Sequence, residues 1–152
     1  MKRCASHWGR RFPKVATACL SVLSTAAFAA DLTVTVENIT ENKGKVHVVV
    51  SDASNWLDGD PDNFAGSQSV DITARADEGP LVTEVELEPG EYGAFLYHDR
   101  NANFKFDKNF IRMPKEPYAY SGPFSKLRMP KFKDRMFVVG EDGAAITVWL
   151  QK

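Results

Sequence analysis

The sequence predicts an all-β protein, a seven-stranded antiparallel sandwich or barrel. Three observations carry this. Short runs alternating apolar and polar residues recur between Leu32 and Leu150. Clusters of Gly, Pro, Asn and Asp separate most of these runs. No segment sustains the 3.6-residue period of an amphipathic helix. Evenly spaced short strands with turn signals between them mark the sandwich and barrel architectures.

The first strand alternates Leu32, Val34 and Val36 with Thr33, Thr35 and Glu37, a period of two with one wet face. Glu41-Asn42-Lys43-Gly44 turns the chain, and Gly44 can supply a positive φ. Val46, Val48 and Val50 form the second inward row, which places His47 outward as a surface strand residue. Val70, Ile72 and Ala74 make a third row, ended by Asp77-Glu78-Gly79-Pro80. Val85 and Leu87 make a fourth, and Pro89-Gly90 leads into a fifth that starts with Tyr92, Ala94 and Leu96. Phe137 and Val139 form the sixth strand. Gly140-Glu141-Asp142-Gly143 joins it to the seventh, with Ile146, Val148 and Leu150. The expected core is Leu32, Val34, Val36, Val46, Val48, Val50, Val85, Leu87, Tyr92, Leu96, Ile146, Val148 and Leu150. Two long connections interrupt the rhythm, 52–67 and 99–134. Loops of that length in a compact domain usually carry function or disorder.

Ahead of the first strand, Met1–Lys14 is basic and free of acids, and Val15–Ala27 is a short apolar run. Ala27-Phe28-Ala29 then places alanine at both small-residue positions of a cut after Ala29. These are the three parts of a secretory signal. The expected organisation is a signal peptide over 1–29 and a single β-sandwich domain over 30–152, periplasmic or secreted. Cys4 and Cys19 both fall in the leader, so residues 30–152 offer no disulfide, thiolate nucleophile or zinc–thiolate site. No stretch reaches the ~20 consecutive apolar residues of a membrane span.

The 152-residue chain has a formal charge of -1, with 19 bases and 20 acids. Five of the bases (Lys2, Arg3, Arg10, Arg11, Lys14) lie in the leader and none of the acids does, so residues 30–152 carry 14 bases against 20 acids, a net of −6. A generally basic nucleic-acid binder is excluded. The charge is also uneven. Residues 31–98 hold 14 acids and 3 bases, and residues 99–152 hold 6 acids and 11 bases. Lys126, Arg128, Lys131, Lys133 and Arg135 crowd one stretch, with Phe124 and Phe132 between them. Such a stretch suits anions, glycans or a lipid surface. The alternative favoured here is that it lies against the acidic strands at 84–91.

The second long connection is the most informative stretch. It carries His98, Asp99, Asn101, Asn103, Lys105, Asp107, Asn109, Phe110, Pro114, Lys115, Glu116 and Tyr118, preceded by Leu87, Pro89, Gly90 and Tyr92. Pro130, Phe132, Asp134 and Phe137 close it. In this pattern the chain resembles a bacterial exported family, domain of unknown function 2141, over essentially all of 31–152. The resemblance implies a small immunoglobulin-like or transthyretin-like sandwich and assigns no activity. Where the family pattern favours glycine, this chain has Ala102, Phe104, Arg112, Pro117 and Ala119, which argues against a tight left-handed loop.

Asp99, Asn101, Asn103 and Asp107 stand at positions 1, 3, 5 and 9 of a calcium-loop spacing, and Lys105 offers its backbone carbonyl at position 7. Phe104 replaces the loop's glycine and Phe110 its closing glutamate, so the full pattern fails. The expectation is weak calcium binding at best. The competing reading is an Asx-rich turn whose side chains bond their own backbone. Asp58, Asp60 and Asp62 read as a solvated turn, and Trp56 as a plug beneath the loop. His98, at a strand end, reads as a structural histidine bonding the loop, and no glycine-flanked serine elbow accompanies it.

The function expected from these residues is a non-enzymatic binding module that uses the 99–134 loop toward a cell-envelope or extracellular ligand. His98, Lys115, Glu116 and Tyr118 are candidate surface or ligand positions. A purely structural domain with a loop plug is the alternative, and a small exported hydrolase trails both.

Overall fold

The computed structural model describes residues 30–76, 79–123, 125 and 128–152. The signal peptide expected over 1–29, the turn residues Asp77 and Glu78, and Lys126 of the basic stretch lie outside them. The described chain is all-β, with eight strands in two sheets. The strands are β1 (Ala30–Glu37), β2 (Lys45–Ser51), β3 (Gly66–Asp71), β4 (Leu81–Leu87), β5 (Gly90–Asp99), β6 (Tyr118–Tyr120), β7 (Phe137–Val139) and β8 (Ala144–Trp149). One sheet has the order β4-β1-β8 and the other β3-β2-β5-β6, with β7 also pairing β5.

Two features differ from the expectation of seven antiparallel strands. The additional strand is β6, inside the stretch read as one loop from 99 to 134. Three residues between Pro117 and Pro123 are too short to display an alternation. The second is direction: β1 and β8 pair in parallel, Val34 opposite Ile146. A parallel pair needs a long crossover, and here the intervening chain supplies it by building the other sheet and β4.

The inward rows meet as expected. Leu32, Val34 and Val36 of β1 and Val46, Val48 and Val50 of β2 are completely buried, with Leu96, Val148 and Leu150 in the same core. Tyr92 and Ile146 are only partly buried and pack against it, while Ile39, Ile72, Leu81, Ala94, Ala119 and Val139 extend it. Ala74 falls beyond β3 and is exposed. Two glycines are fixed by contact. A side chain on Gly44, at φ +75°, would overlap the carbonyl of Asp99, and one on Gly93 would enter the Trp56 ring, 2.5 Å from its nearest atom.

The opposite face of β2, β5 and β6 positions the site. Antiparallel registers bring Lys45, His47, Val49 and Ser51 opposite Asp99, Tyr97, Phe95 and Gly93, and set Phe95 and Tyr97 opposite Tyr120 and Tyr118. Sheets of this kind often leave one face wet. Here residues 52–65 and 100–117 fold back over it.

Candidate functional site

The site begins with the aromatic content of that outer face. Phe95 lies 5.7 Å from Tyr97 and 5.1 Å from Tyr120 between ring centroids, and Tyr97 stacks on His47 at 4.8 Å. The covering segments add rings of their own. Phe106 stands edge-on to Phe95 at 5.2 Å and to Tyr118 at 5.5 Å. Phe104 lies against His47 at 5.3 Å. Trp56 packs over Gly93 at the other end, 6.0 Å from Tyr120 and 5.8 Å from Phe132, and its Nε1–H donates to the Pro130 carbonyl at 2.8 Å. These separations are those of favourable offset and edge-to-face ring pairs. Trp56 is therefore a plug of the outer face rather than of the inter-sheet core, and it ties the two long connections together.

Between the two connections the rings wall a cleft of about 690 Å³. That volume falls within the usual range for small-molecule pockets, which pair an apolar lining with a few polar groups. Phe95, Tyr97, Phe106, Tyr118 and Tyr120 form its floor, and Trp56 one wall. Lys105, Lys108, Arg112 and Arg128 stand around it against a single acid, Asp58. The Lys108 ammonium lies 5.6 Å from the Phe106 ring centre. Burial, reinforced by the charges of Asp99 and Glu116, pushes the Tyr97 phenol up to about 12. Burial likewise raises Tyr120 to about 12.

The Asp99–Asp107 segment forms a self-bonded turn beside the cleft. Asp99 is completely buried. Its Oδ1 accepts the Asn103 N–H at 3.2 Å, and its Oδ2 accepts the Phe104 N–H at 2.7 Å and a bond from His47 Nε2 at 3.2 Å. Asn101 and Asn103 both turn their Nδ2 donors onto Asp107, at 2.8 Å and 3.2 Å to Oδ2. Asn103 Oδ1 accepts the Lys105 N–H at 2.8 Å. The structure thus brings Asp99, Asn101, Asn103, Lys105 and Asp107 into one turn in which the side-chain oxygens already accept hydrogen bonds. Among the described residues no three His, Asp or Glu side chains converge as a metal cage.

Ala102, Phe104 and Arg112 take φ of 54°, 60° and 60°. The Asp99–Asp107 turn is therefore left-handed at Ala102 and Phe104, and the following 108–114 turn at Arg112, three of the positions where glycine is missing, contrary to the expectation from their side chains. The Asn103 and Phe104 amides, donating to Asp99, hold Ala102 and Phe104 in that geometry, and the bond from the Arg112 N–H to the Asn109 carbonyl holds Arg112.

Several site expectations need correction. His47 does point outward, but it is buried, because Phe104 folds over it. Burial lowers its pKa, and its bond to Asp99 opposes that shift. His98 lies on the inner face, wholly buried, with Nε2–H donating to the Lys43 carbonyl at 2.7 Å. It supports the turn before β2 and presents nothing to a ligand. Glu116 is also buried rather than a surface position. Its two oxygens accept the N–H groups of Arg100 and Asp107, each at 3.1 Å, and burial raises its pKa. Lys115 is exposed, and Tyr118 lines the cleft.

Asp58, Asp60 and Asp62 form a chain of exposed Asx turns capping the short 3₁₀ turn Pro61–Asn63. Arg128, Lys131, Lys133 and Arg135 make no ion pair with strands 84–91 among the described residues. Of these four, Arg128 lines the cleft. Sequence reasoning missed the cleft itself. Its signal was present in Phe95, Tyr97, Tyr118 and Tyr120, aromatic residues on the nominally wet side of their strands.

A family model described as uncharacterized protein conserved in bacteria (DUF2141) matches residues 34–147. No curated protein matches the sequence, and no solved structure matches it.

Proposed function

The chain belongs to the DUF2141 family of proteins conserved in bacteria, and on that premise we propose that it is an exported, non-enzymatic binding module of immunoglobulin-like or transthyretin-like architecture. The observation that carries the proposal is the aromatic cleft of about 690 Å³ between the two long connections. Flat rings on its floor suit a ligand with a planar apolar face, such as a sugar ring or an aromatic ring. The cationic rim favours an acidic substituent on that ligand. Export rests on the basic start, short apolar run and small-residue exit of residues 1–29. N-terminal sequencing of the protein from the cell envelope should begin at Ala30.

The test of the binding role is native mass spectrometry of the protein purified from its own cells. A retained small molecule is expected, and it should disappear in Tyr97→Ala and Phe106→Ala. A bare mass, with no response of the cleft's resonances to acidic sugars or aromatic acids, would refute it.

The self-bonded Asp99–Asp107 turn favours a second, structural role for that segment: it holds Phe104 and Phe106 over the sheet. Calcium there would have to displace the Asn101 and Asn103 donors from Asp107, so binding belongs in the roughly millimolar class of extracellular sites. Isothermal titration of the wild type and Asp99→Ala with calcium reads this directly. Heat abolished by the substitution supports the ion, and no heat leaves the turn as scaffold alone.

A further inference from the structure

The connection between β5 and β6 ends in a second feature, separate from the cleft floor. Lys108 bridges to Pro114, and the residues between them form a tight protruding turn. At its tip Phe110 is 96% exposed, Ile111 63% and Met113 52%. Met129, which lines the same cleft as Met113, is 77% exposed. Four large apolar side chains in water at one end of a small domain are an unusual cost for a solitary protein.

The backbone of this tip is closed on itself. Asn109 Oδ1 accepts the N–H groups of Ile111 and Met113 at 3.1 Å and 2.9 Å, and the Arg112 N–H donates to the Asn109 carbonyl at 2.9 Å. Asn109 N–H in turn donates to the Met113 carbonyl at 2.8 Å. With four of the five backbone donors of 109–113 satisfied internally, the segment leaves water with less of the penalty that bars open loops from an apolar medium. Around it stand Lys108, Arg112, Lys115 and Arg128, none in an ion pair among the described residues. Long cationic side chains of this kind keep their charges at a headgroup layer while their stems follow the apolar residues down.

From these features we infer that the Phe110–Met113 tip, with Met129, docks the protein onto an anionic lipid surface. Two properties select a bilayer over a protein partner. The apex, Phe110 and Ile111, is exposed and lies outside the cleft, so it lines no groove that could receive a segment and must itself enter something. Its cations surround the apolar residues on flexible stems, which suits a fluid layer of headgroups. Shallow apolar insertion plus attraction to anionic lipid is the usual combination for peripheral binding. Phe110 and Ile111 do not line the cleft, so this inference and the ligand-binding proposal fail independently.

The experiment is cosedimentation of the purified native protein with phosphatidylcholine vesicles, with and without phosphatidylglycerol. Binding is expected only with the anionic lipid, and it should weaken as ionic strength rises. The double substitution Phe110→Ser, Ile111→Ser should reduce partitioning by about tenfold or more, from the apolar area withdrawn. Arg112→Glu should reduce it with the apolar residues intact. Both changes lie on the exposed tip, and an unaltered circular dichroism spectrum verifies the fold. Equal binding to neutral vesicles, or anionic binding indifferent to both variants, would overturn the inference. So would absence of vesicle binding with a dimer that Phe110→Ser, Ile111→Ser dissolves, which would make the tip an interface between copies.

Discussion

Gly93→Ala tests how the fold seats the cleft wall. Gly93 lies in the middle of β5, opposite Ser51, at a φ that any residue can adopt. Glycine in a strand interior normally costs about 0.5–1 kcal/mol relative to alanine, so on backbone grounds alone the substitution should stabilise. The new methyl, however, would lie 2.5 Å from the Trp56 ring. That ring cannot simply rotate away. Tyr120 and Phe132 flank it, and its Nε1–H is held by the Pro130 carbonyl. Overpacking of this kind costs about 1–3 kcal/mol, and loss of the indole hydrogen bond adds about 1 kcal/mol. The net expectation is destabilisation by about 1–3 kcal/mol in the wild type. In a Trp56→Ala background the same substitution should stabilise by about 0.5–1 kcal/mol. Urea unfolding of the four proteins in this cycle, followed by circular dichroism, gives the coupling directly. A Gly93→Ala effect of the same sign and size in both backgrounds would refute the account of Gly93 as the seat of Trp56.

Three further outcomes are expected. Val48→Ala should leave a cavity between the sheets and cost about 1–3 kcal/mol in the same assay, by scaling from larger core truncations; a near-zero change would place Val48 outside the core. Ala102→Gly should raise stability by about 0.5–1 kcal/mol, since a left-handed alanine carries roughly 1–2 kcal/mol of strain and glycine returns part of that as unfolded-state entropy; thermal unfolding at matched pH checks it. Burial holds the pKa of His47 and His98 below 6.5. The unfolded chain therefore binds more protons just below that pH, so stability is full above it and falls on acidification, by at most about 1.4 kcal/mol per pH unit for each group. Melting temperatures between neutral and mildly acidic pH should decline, and His47→Gln should flatten the decline; an unchanged profile would leave His47 uncoupled from folding.

Much of the fold was legible because alternation has only two phases. Once Leu32, Val46 and Leu96 face the core, the phase of β1, β2 and β5 follows for every neighbour. The strand that escaped notice was β6, whose three residues are too few to alternate, whereas β7 lies where Phe137 and Val139 placed it; the strand with shifted bounds was β3, which runs over Gly66–Asp71 and ends before Ile72 and Ala74. The parallel pairing of β1 with β8 was not legible, because strand direction depends on which sheet the intervening chain joins. His47 shows the limit for the site. Its outward phase is right, but its burial depends on Phe104, reached only after the chain has turned through the left-handed residues Ala102 and Phe104. Glu116 is similar. Its sequence neighbours Lys115 and Pro117 say nothing of the two amides, Arg100 and Asp107, that it binds. The turn's own residues were more readable, since Asx side chains mostly bond backbone two to five positions away.

The charge asymmetry of the sequence becomes an orientation in the fold. The acidic part of the chain, residues 31–98, supplies β1 and β4, whose outer face exposes Asp31, Glu84 and Glu86. The basic part, residues 99–152, supplies the cleft rim and the tip, over the outer face of the other sheet. Packed sheets stand about 10 Å apart, and the side chains on both outer faces add to that. The acids of β1 and β4 are therefore separated from those cations by more than the Debye length of about 8 Å at physiological ionic strength, whereas Asp58 of the 52–65 connection lies on the cleft side. Across that distance the acids of β1 and β4 cancel little of the field at the tip, although they help reverse the net charge of the whole domain. A protein with a net of −6 over residues 30–152 can thus approach an anionic surface, provided it approaches tip first. The same separation sets the acidic face outward, and the cleft mouth, which shares Arg112, Met113 and Met129 with the docking region, toward the lipid.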